Sequence, residues 1–492
     1  MAINKGHGFQ GLKASVVGLG IEGVDLARFL ARRGAVVTAS DIKPEAKLAP
    51  RLEALRGLEV RLSLGGHRAE DILDADIIFV SQSVPLKLPL LAEARRLGIP
   101  LSSMAKLFLE IFPGPVVGIT GSSGKSTTTA LLGAIFQAAE RPHVVGGNIG
   151  VGLLSLLESA TPATWAILEI SHTQLELLDR SPHLACITNV APNHLDHYTW
   201  DEYVALKARI VAFQGPEDAA VANCDDADSC ALARRTAGSV FCFSGRGGIK
   251  GDGVFVEEGR LLWRGEGTKG WPMTPRSRPA ISHARIGKEV SLLPLASIQL
   301  PGVHNRENVA AAACLASLCG IEAEPIAQAV AGFRGLPHRL ELVGEMDGVR
   351  YYNDSIATTP QRALAGLRCF SDPLVLLLGG REKNLPLEEL AREACRRCRA
   401  VVCFGEAGGL LAEVIEGATQ ELAADRGRLW GLPLLLRVDD LGQALKAARR
   451  AARPGDVVLL SPACASYDAY TDFEERGEHF RCLVQGMLAD RL

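Results

Sequence analysis

The chain is 492 residues long, 47% hydrophobic and 22% charged, with a formal net charge of −3. That length exceeds what one core usually supports, so three domains of about 100–200 residues are expected, and the charge balance excludes a global basic field for nucleic acid. No stretch approaches the roughly 18 uninterrupted apolar residues of a membrane span or resembles a secretory leader, and the cysteines lack paired metal-ligand spacing, Cys395-Arg-Arg-Cys398 included. Reduced structural thiols, a cytoplasmic location and local binding of anionic substrates are therefore the expectation. The chain is also expected to be a monomer.

In chain order, residues 14–19 form a β-rich apolar run, Gly18-Leu-Gly-Ile-Glu-Gly23 turns the chain, and a helix over 24–33 leads to a second strand over 35–40 ending at Asp41. This is a β-α-β start whose glycines let backbone approach a phosphate closely. Asp41 stands about 20 residues beyond them, where a carboxylate could accept from a ribose hydroxyl; a solvated strand-end aspartate is nearly as good a reading. A strand over 75–81 and a helix over 90–97 extend a parallel sheet, and Pro113-Gly-Pro115 marks a boundary, giving a first domain over 1–112.

The apolar run Val116-Val-Gly-Ile-Thr120 then passes into Gly121-Ser-Ser-Gly124-Lys125-Ser126-Thr127 and a run of helix formers. Such a turn cradles phosphate: backbone N–H groups face the anion, the helix presents its positive end, Lys125 reaches the β and γ phosphates, and a Ser126 or Thr127 hydroxyl can ligate Mg²⁺. Ile119 stands where the commonest P-loop has glycine, so this is a variant. Glu169, inside the buried-strand pattern Trp165-Ala-Ile-Leu-Glu-Ile-Ser171, is costly to desolvate unless it meets a cation, which makes it a candidate Mg²⁺ ligand. A strand over 184–190 delivers His194 to its C-terminal end, where ligands of open α/β sheets collect.

Residues 201–213 read as a helix carrying Lys207. The Gly-rich stretch over about 245–295 reads as hairpins in a mobile insertion remote from catalysis. A small-residue helix over 309–319 closes a central domain over 113–338. From 339 to 492 strands over 349–352, 374–378, 400–404 and 457–460, with a helix over 441–451, describe a second Rossmann-like unit with a polar cluster after each strand. The fold class is α/β in three domains: Rossmann-like, P-loop ATPase-like, Rossmann-like.

Taken together, Thr120-Gly-x-x-Gly124-Lys-Ser126, Gly147-Asn148-Ile-Gly150, Leu168-Glu-Ile-Ser-x-x-Gln174-Leu-Glu176, Asn189-Val-x-x-x-His194-Leu-Asp-x-Tyr198, Leu300-Pro-Gly-x-His-Asn305-x-x-Asn308, Gly335-Leu-Pro-His-Arg339, Ser461-Pro-Ala-Cys-Ala-Ser466 and Phe473-Glu-x-Arg476-Gly477 resemble the Mur ligases of peptidoglycan synthesis over the whole chain. Within that family the set is most similar to members that use ATP and Mg²⁺ to add D-glutamate to UDP-N-acetylmuramoyl-L-alanine. The resemblance implies Ser123, Gly124, Lys125, Ser126 and Thr127 as the ATP-phosphate loop, Asn305, Asn308, Arg339 and Asp354 as further ATP contacts, and Ser126, Glu169, His194 and a carbamylated Lys207 around the metal. It implies Ile21, Glu22 and Asp41 at the uridine end of the nucleotide substrate, Asn148, Ser171 and Gln174 at its muramoyl end, and Thr358, Lys383, Ser466 and Phe473 at the amino acid.

The chain departs from the family pattern at several points. Ile356 replaces the lysine of Asn-Asp-Ser-Lys-Ala-Thr, Ser81-Gln-Ser83 replaces Ser-Pro-Gly, Ser123 replaces an asparagine, and Ser171-His-Thr-Gln174 replaces Ser-Ser-Phe-Gln. Arg381, two residues from Lys383, is the expected substitute for the lost charge. A relative adding L-glutamate to the same nucleotide, a sibling Mur or folylpolyglutamate-type ligase, and a non-catalytic nucleotide-binding scaffold are the alternatives; retention of Glu169, His194 and Lys207 argues against the last.

Overall fold

The computed structural model describes residues 8–147, 152–193, 198–265, 289–422 and 432–489. Its first sheet contains β1 (Lys13–Val17), β2 (Val36–Asp41), β3 (Val60–Leu64), β4 (Ile77–Val80) and β5 (Leu101–Ser102), all parallel, in the order β3-β2-β1-β4-β5. The order reverses direction beside β1, and the Gly18–Gly23 turn follows that strand, at the switch point where ligands of such sheets bind. The sequence reading passed over β3, an edge strand with only Ser63 buried and therefore without the apolar run that marked its neighbours.

The second sheet contains β6 (Val116–Thr120), β7 (His143–Gly147), β8 (Trp165–Glu169), β9 (Leu184–Ile187), β10 (Ala219–Asn223), β11 (Ser239–Phe243), β12 (Gly253–Glu257), β13 (Arg260–Arg264) and β14 (Glu289–Pro294). They run in the order β14-β13-β12-β11-β10-β9-β6-β8-β7. The strands from β7 to β12 are parallel, and β12, β13 and β14 turn back antiparallel. The hairpins expected over 245–295 are there, but they are not an excursion from the fold. The described strands continue the sheet, with Val254, Phe255, Leu261, Trp263 and Leu293 buried, because their short alternating pattern has one face on the core. Residues 266–288 lie outside the described residues.

Both sheets belong to one compact unit, Met1–Ile298 with His304–Gly332. An apolar cluster continues from Val16, Leu26 and Phe108 to Leu168, Ile187 and Ile210, and the buried Asp25 carboxylate accepts from Leu154 N at 2.9 Å.

The other unit, Gln299–Val303 with Phe333–Leu492, holds a third sheet. Its strands are β15 (Glu341–Met346), β16 (Val349–Asn353), β17 (Leu374–Gly379), β18 (Cys398–Phe404), β19 (Leu434–Arg437) and β20 (Val457–Ala463), ordered β15-β16-β20-β17-β18-β19. All neighbours are parallel except β15 with β16. β17 is buried at every position, and apolar clusters cover both faces of the sheet, as a central parallel strand requires. The helix Leu441–Ala451 has the bounds its periodicity predicts and is capped by Asp440, whose side chain accepts from Gln443 N.

Candidate active site

β6 is wholly buried, and the chain leaves it through Gly121 into Gly124, which has φ +79° and caps the helix Lys125–Ala138. A side chain at either place would strain the loop and push its neighbours aside: a Cβ would stand 1.9 Å from Thr188 Oγ1 at position 121 and 2.2 Å from Asn308 Oδ1 at position 124. The loop is moored to the end of β9, with Ser122 N donating to Asn189 O and Ser123 N to Asn189 Oδ1, each at 3.0 Å, and Thr188 Oγ1 donating to Ser123 O at 2.6 Å. Lys125 Nζ donates to Gly121 O at 3.0 Å, so the cation rests over the loop it serves. Ser126 is half-buried and Thr127 buried in the first helical turn. Asn308, on the helix Val303–Leu318, donates to Asn305 Oδ1 at 3.1 Å and accepts from Thr128 Oγ1 at 3.5 Å; both asparagines are buried against the loop's helix.

Lys207 stands on the helix Trp200–Ala212, which begins with a capping box between Thr199 and Glu202. Only 1% of Lys207 is exposed, and its Nζ lies 4.6 Å from the centroid of the Tyr203 ring. Burial, and then the charge of Lys125, push its pKa down to about 7. Tyr203 and Ser122 share a hydrogen bond of 3.1 Å between their hydroxyls, and Ser122 Oγ also donates to Ala191 O at 2.8 Å. The phosphate loop, the lysine's helix and the segment leading toward His194 are thus joined through one serine. Glu169, 2% exposed, ends β8 and pairs in register with Ile119 of β6. His194 lies outside the described residues, as does Asn148. The buried carboxylate of Glu169 and the hydroxyl of Ser126 are hard oxygen donors, and a carbamate on Lys207 would add another; such a set fits Mg²⁺.

Between the first and second sheets, Glu22, Ser171 and Gln174 meet. Gln174 Nε2 donates to Glu22 Oε1 at 2.8 Å, Gln82 N donates to Glu22 Oε2 at 3.1 Å, and Ser171 and Gln174 form a capping box. Burial raises the Glu22 pKa against those hydrogen bonds. The residues Glu22, Ser81, Gln82, Thr173, Gln174 and Glu176 line a pocket of about 10 Å³, room for about one water. Ile21 is 55% exposed beside it in the chain. Asp41 is buried and accepts from Leu19 N at 2.7 Å and Lys43 N at 2.8 Å, so it shapes the glycine turn with its own carboxylate.

In the other unit, Lys383 Nζ donates to Thr358 Oγ1 at 3.2 Å, and its pKa is lowered by burial and by Arg362 and Arg476. Arg381 pairs with Glu406 at 3.0 Å; the cations felt at Lys383 are Arg362, whose Nη1 donates to Ile356 O at 3.3 Å, and Arg476. Asp354 is buried, accepts from Ser461 Oγ at 2.8 Å, and has its pKa pushed up to about 7 by burial. Arg339 is half-buried and Ser466 buried. Phe473 O accepts from Ser355 Oγ at 2.8 Å.

Arg476, quoted in the sequence motif without a role, is fully buried and donates to Ser355 Oγ and O, Gly379 O, Cys464 O and Ala465 O. One guanidinium therefore holds the loops after β16, β17 and β20 in mutual register. Tyr203, Asn189 and Gln82 likewise carry no role in the sequence reading. Gly477, next to Arg476, has no room for a side chain, since a Cβ would stand 2.2 Å from His338 Nδ1.

The chain is 40% identical over 96% of its length to a protein of Symbiobacterium thermophilum named UDP-N-acetylmuramoylalanine--D-glutamate ligase, 98% of which is covered. It is 39% identical to a protein of the same name from Acidobacterium capsulatum, with 96% of each chain covered. This chain belongs to the Mur ligase family. Family models for the Mur ligase MurD-like N-terminal domain, the Mur ligase middle domain and the Mur ligase glutamate ligase domain match residues 12–103, 119–316 and 338–464. Among solved structures, UDP-N-acetylmuramate-alanine ligase from Thermotoga maritima shares the fold at a TM-score of 0.55 and 18% identity, covering 97% of this chain and 100% of that one. A MurF ligase of the same organism in complex with ADP gives 0.52 at 19%, covering 98% and 96%. The three sheets of this Mur ligase are thus those of the family's three-domain α/β architecture.

Proposed function

We propose that this Mur ligase joins D-glutamate to UDP-N-acetylmuramoyl-L-alanine, converting ATP to ADP and phosphate, in peptidoglycan precursor synthesis. The observation that carries the reading is Lys207: a lysine with 1% of its surface exposed, its charge opposed by the phosphate-loop Lys125, has little use in a scaffold and direct use as an anionic carbamate. Residues 1–112 hold the nucleotide substrate, 113–338 the ATP and 339–492 the amino acid.

The substrate carboxylate attacks the γ-phosphorus of ATP, ADP leaves, and the acyl phosphate is then attacked at carbon by the glutamate amine, which loses a proton as phosphate departs. Lys125 and the Gly121–Gly124 backbone hold the transferring phosphoryl charge, which is most of what a protein contributes to such a step. Ser126, Glu169, His194 and carbamylated Lys207 would hold Mg²⁺, which supplies Lewis-acid neutralisation of phosphate charge. Asn305 and Asn308 back the phosphate loop, and Arg339 and Asp354 are further contacts to the nucleotide. Ile21, Glu22 and Asp41 receive the uridine end, and Asn148, Ser171 and Gln174 the muramoyl end. Thr358, Lys383, Ser466 and Phe473 receive D-glutamate, with Lys383 giving a carboxylate its charge-assisted partner.

The enzyme works in the cytoplasm, a reading supported by its free cysteines and nucleotide substrates. No helix among the described residues is long and apolar enough to cross a membrane. Product analysis with UDP-N-acetylmuramoyl-L-alanine, ATP and each glutamate enantiomer tests the proposal. ADP release with amide product only from D-glutamate is expected; preference for L-glutamate, or turnover with neither, would overturn it.

A further inference from the structure

Three thiols that play no part in the ligation meet one strand away from the phosphate loop's support. Cys224 follows β10, Cys230 lies in the helix Ala227–Ala233 and Cys242 in β11, and their sulfurs all lie within 4.8 Å of one another. Cys224 and Cys230 are 4.0 Å apart at sulfur, all three are free thiols, and each is half-buried, open enough for an ion to enter and shielded enough to hold it.

Fixed elements place all three. Cys224 N donates to Phe243 O at 2.8 Å, Asp226 caps the helix through Ser229 N at 2.7 Å, and Cys242 sits in register with Ala222 and donates its N–H to Asp252 O at 3.0 Å. A tetrahedral zinc site with Zn–S near 2.3 Å sets its sulfurs roughly 3.8 Å apart, so closure by about 1 Å or less suffices. A disulfide would use two of these sulfurs and leave the third without function, whereas soft cations take three or more thiolates.

We propose that Cys224, Cys230 and Cys242 form a three-thiolate binding site for a soft d¹⁰ cation, Zn²⁺ or Cu⁺. Binding forms three metal–sulfur bonds and releases the thiol protons to solvent, with no change of oxidation state; water completes the Zn²⁺ shell, and Cu⁺ needs only the three sulfurs. The site adjoins the catalytic fold mechanically. Asn223 Nδ2 donates to Thr188 O at 3.0 Å and Asp226 Oδ2 accepts from Val190 N at 3.2 Å, so the segment carrying Cys224 props the strand end on which Asn189 moors the phosphate loop. Occupancy therefore stiffens that end of the second sheet.

The test uses the reduced full-length enzyme, titrated anaerobically with Co²⁺ as a probe for Zn²⁺ and, separately, with Cu⁺ from a chelator buffer. One equivalent bound with thiolate-to-metal charge-transfer absorption is expected, together with a raised Tm. A Zn²⁺ arm that responds to Co²⁺ assigns a zinc site, and a response to Cu⁺ alone assigns a copper site. The absorption should vanish in C224S/C230S and persist in C482S, which changes an exposed thiol elsewhere. Independently of any variant, the bound ion should protect Cys224, Cys230 and Cys242 of the wild-type chain from alkylation while Cys482 still reacts. Absence of charge-transfer absorption with both ions, its survival in C224S/C230S, or unaltered alkylation of the three thiols would overturn the site. So would a mild oxidant closing Cys224 to Cys230 in an enzyme whose reduced form binds neither ion, which would make the pair redox-active instead.

Discussion

Lys207 offers the sharpest test of the catalytic reading. An ordinary lysine, with a pKa of 10.5, is almost wholly charged at neutral pH, whereas a value of about 7 leaves Lys207 about half neutral at pH 7 and about nine-tenths neutral at pH 8. Burial thus raises the uncharged amine about a thousandfold, and the uncharged amine is the form that attacks CO₂ to give a carbamate. The same shift acts on stability. Because the folded-state pKa lies below the unfolded one, the unfolded chain binds a proton between about pH 7 and 10.5 that the folded chain does not, so unmodified protein gains stability as pH rises through that window. Below about pH 7 the burial penalty is complete, on the order of 5 kcal/mol for a drop from 10.5 to about 7. Carbamylation of the folded chain alone removes the ammonium, so bicarbonate should raise Tm near neutral pH in the wild type and leave Lys207→Met unmoved. Lys207→Ala should lose about 10²-fold or more in kcat, and short carboxylates should restore part of it by returning an anion to the cavity. Turnover is followed as ADP release, with protein stripped of CO₂ and then resupplied at pH 6 and pH 8; recovery should be greater at pH 8. An unaided Lys207→Ala enzyme with near-normal turnover, or wild-type activity indifferent to CO₂, would refute the reasoning.

Lys125→Ala should keep its far-UV circular dichroism and lose about 10²-fold or more in kcat, because the side chain meets phosphate charge at a loop-helix junction; near-normal turnover would dismiss this loop as the nucleotide site. Gly124→Ala demands a Cβ 2.2 Å from Asn308 Oδ1 at φ +79°, and should lower stability by more than about 1 kcal/mol with a raised KM for ATP, measured by urea unfolding and initial rates. Arg362→Ala should raise the KM for D-glutamate about tenfold, the value of one lost charge-assisted contact, and Ile356→Lys in that background should restore it; an unchanged KM would remove Arg362 from the site.

The three-layer α/β plan was legible wherever a strand is buried on both faces. β6, β8 and β17 are uninterrupted apolar runs ended by glycine or a polar cluster, and that is what a central parallel strand must be. β3 was not legible because it lies on an edge, and β12–β14 were legible as hairpins but not as part of the sheet, because nothing local to a hairpin says which sheet edge it extends. The site divides in the same way. A phosphate loop is contiguous, so its chemistry is written in seven adjacent residues, whereas the burial of Lys207 exists only once its helix packs on the second sheet, and Lys207 was recoverable only by resemblance. Arg381 shows the converse error. It is expected at the amino-acid site for lying two residues from Lys383, yet its charge goes to Glu406, 25 residues away, while the cations that depress the lysine beyond its burial are Arg362 and Arg476. Charge acts through space and not along the chain, so proximity in sequence predicts a shared field only within one turn of a regular element. The loop between β17 and the next helix is not one, and its successive side chains diverge. The same argument explains why Cys224, Cys230 and Cys242 went unnoticed: a strand end, a helix and the adjacent strand bring together three residues whose spacing matches no ligand pattern.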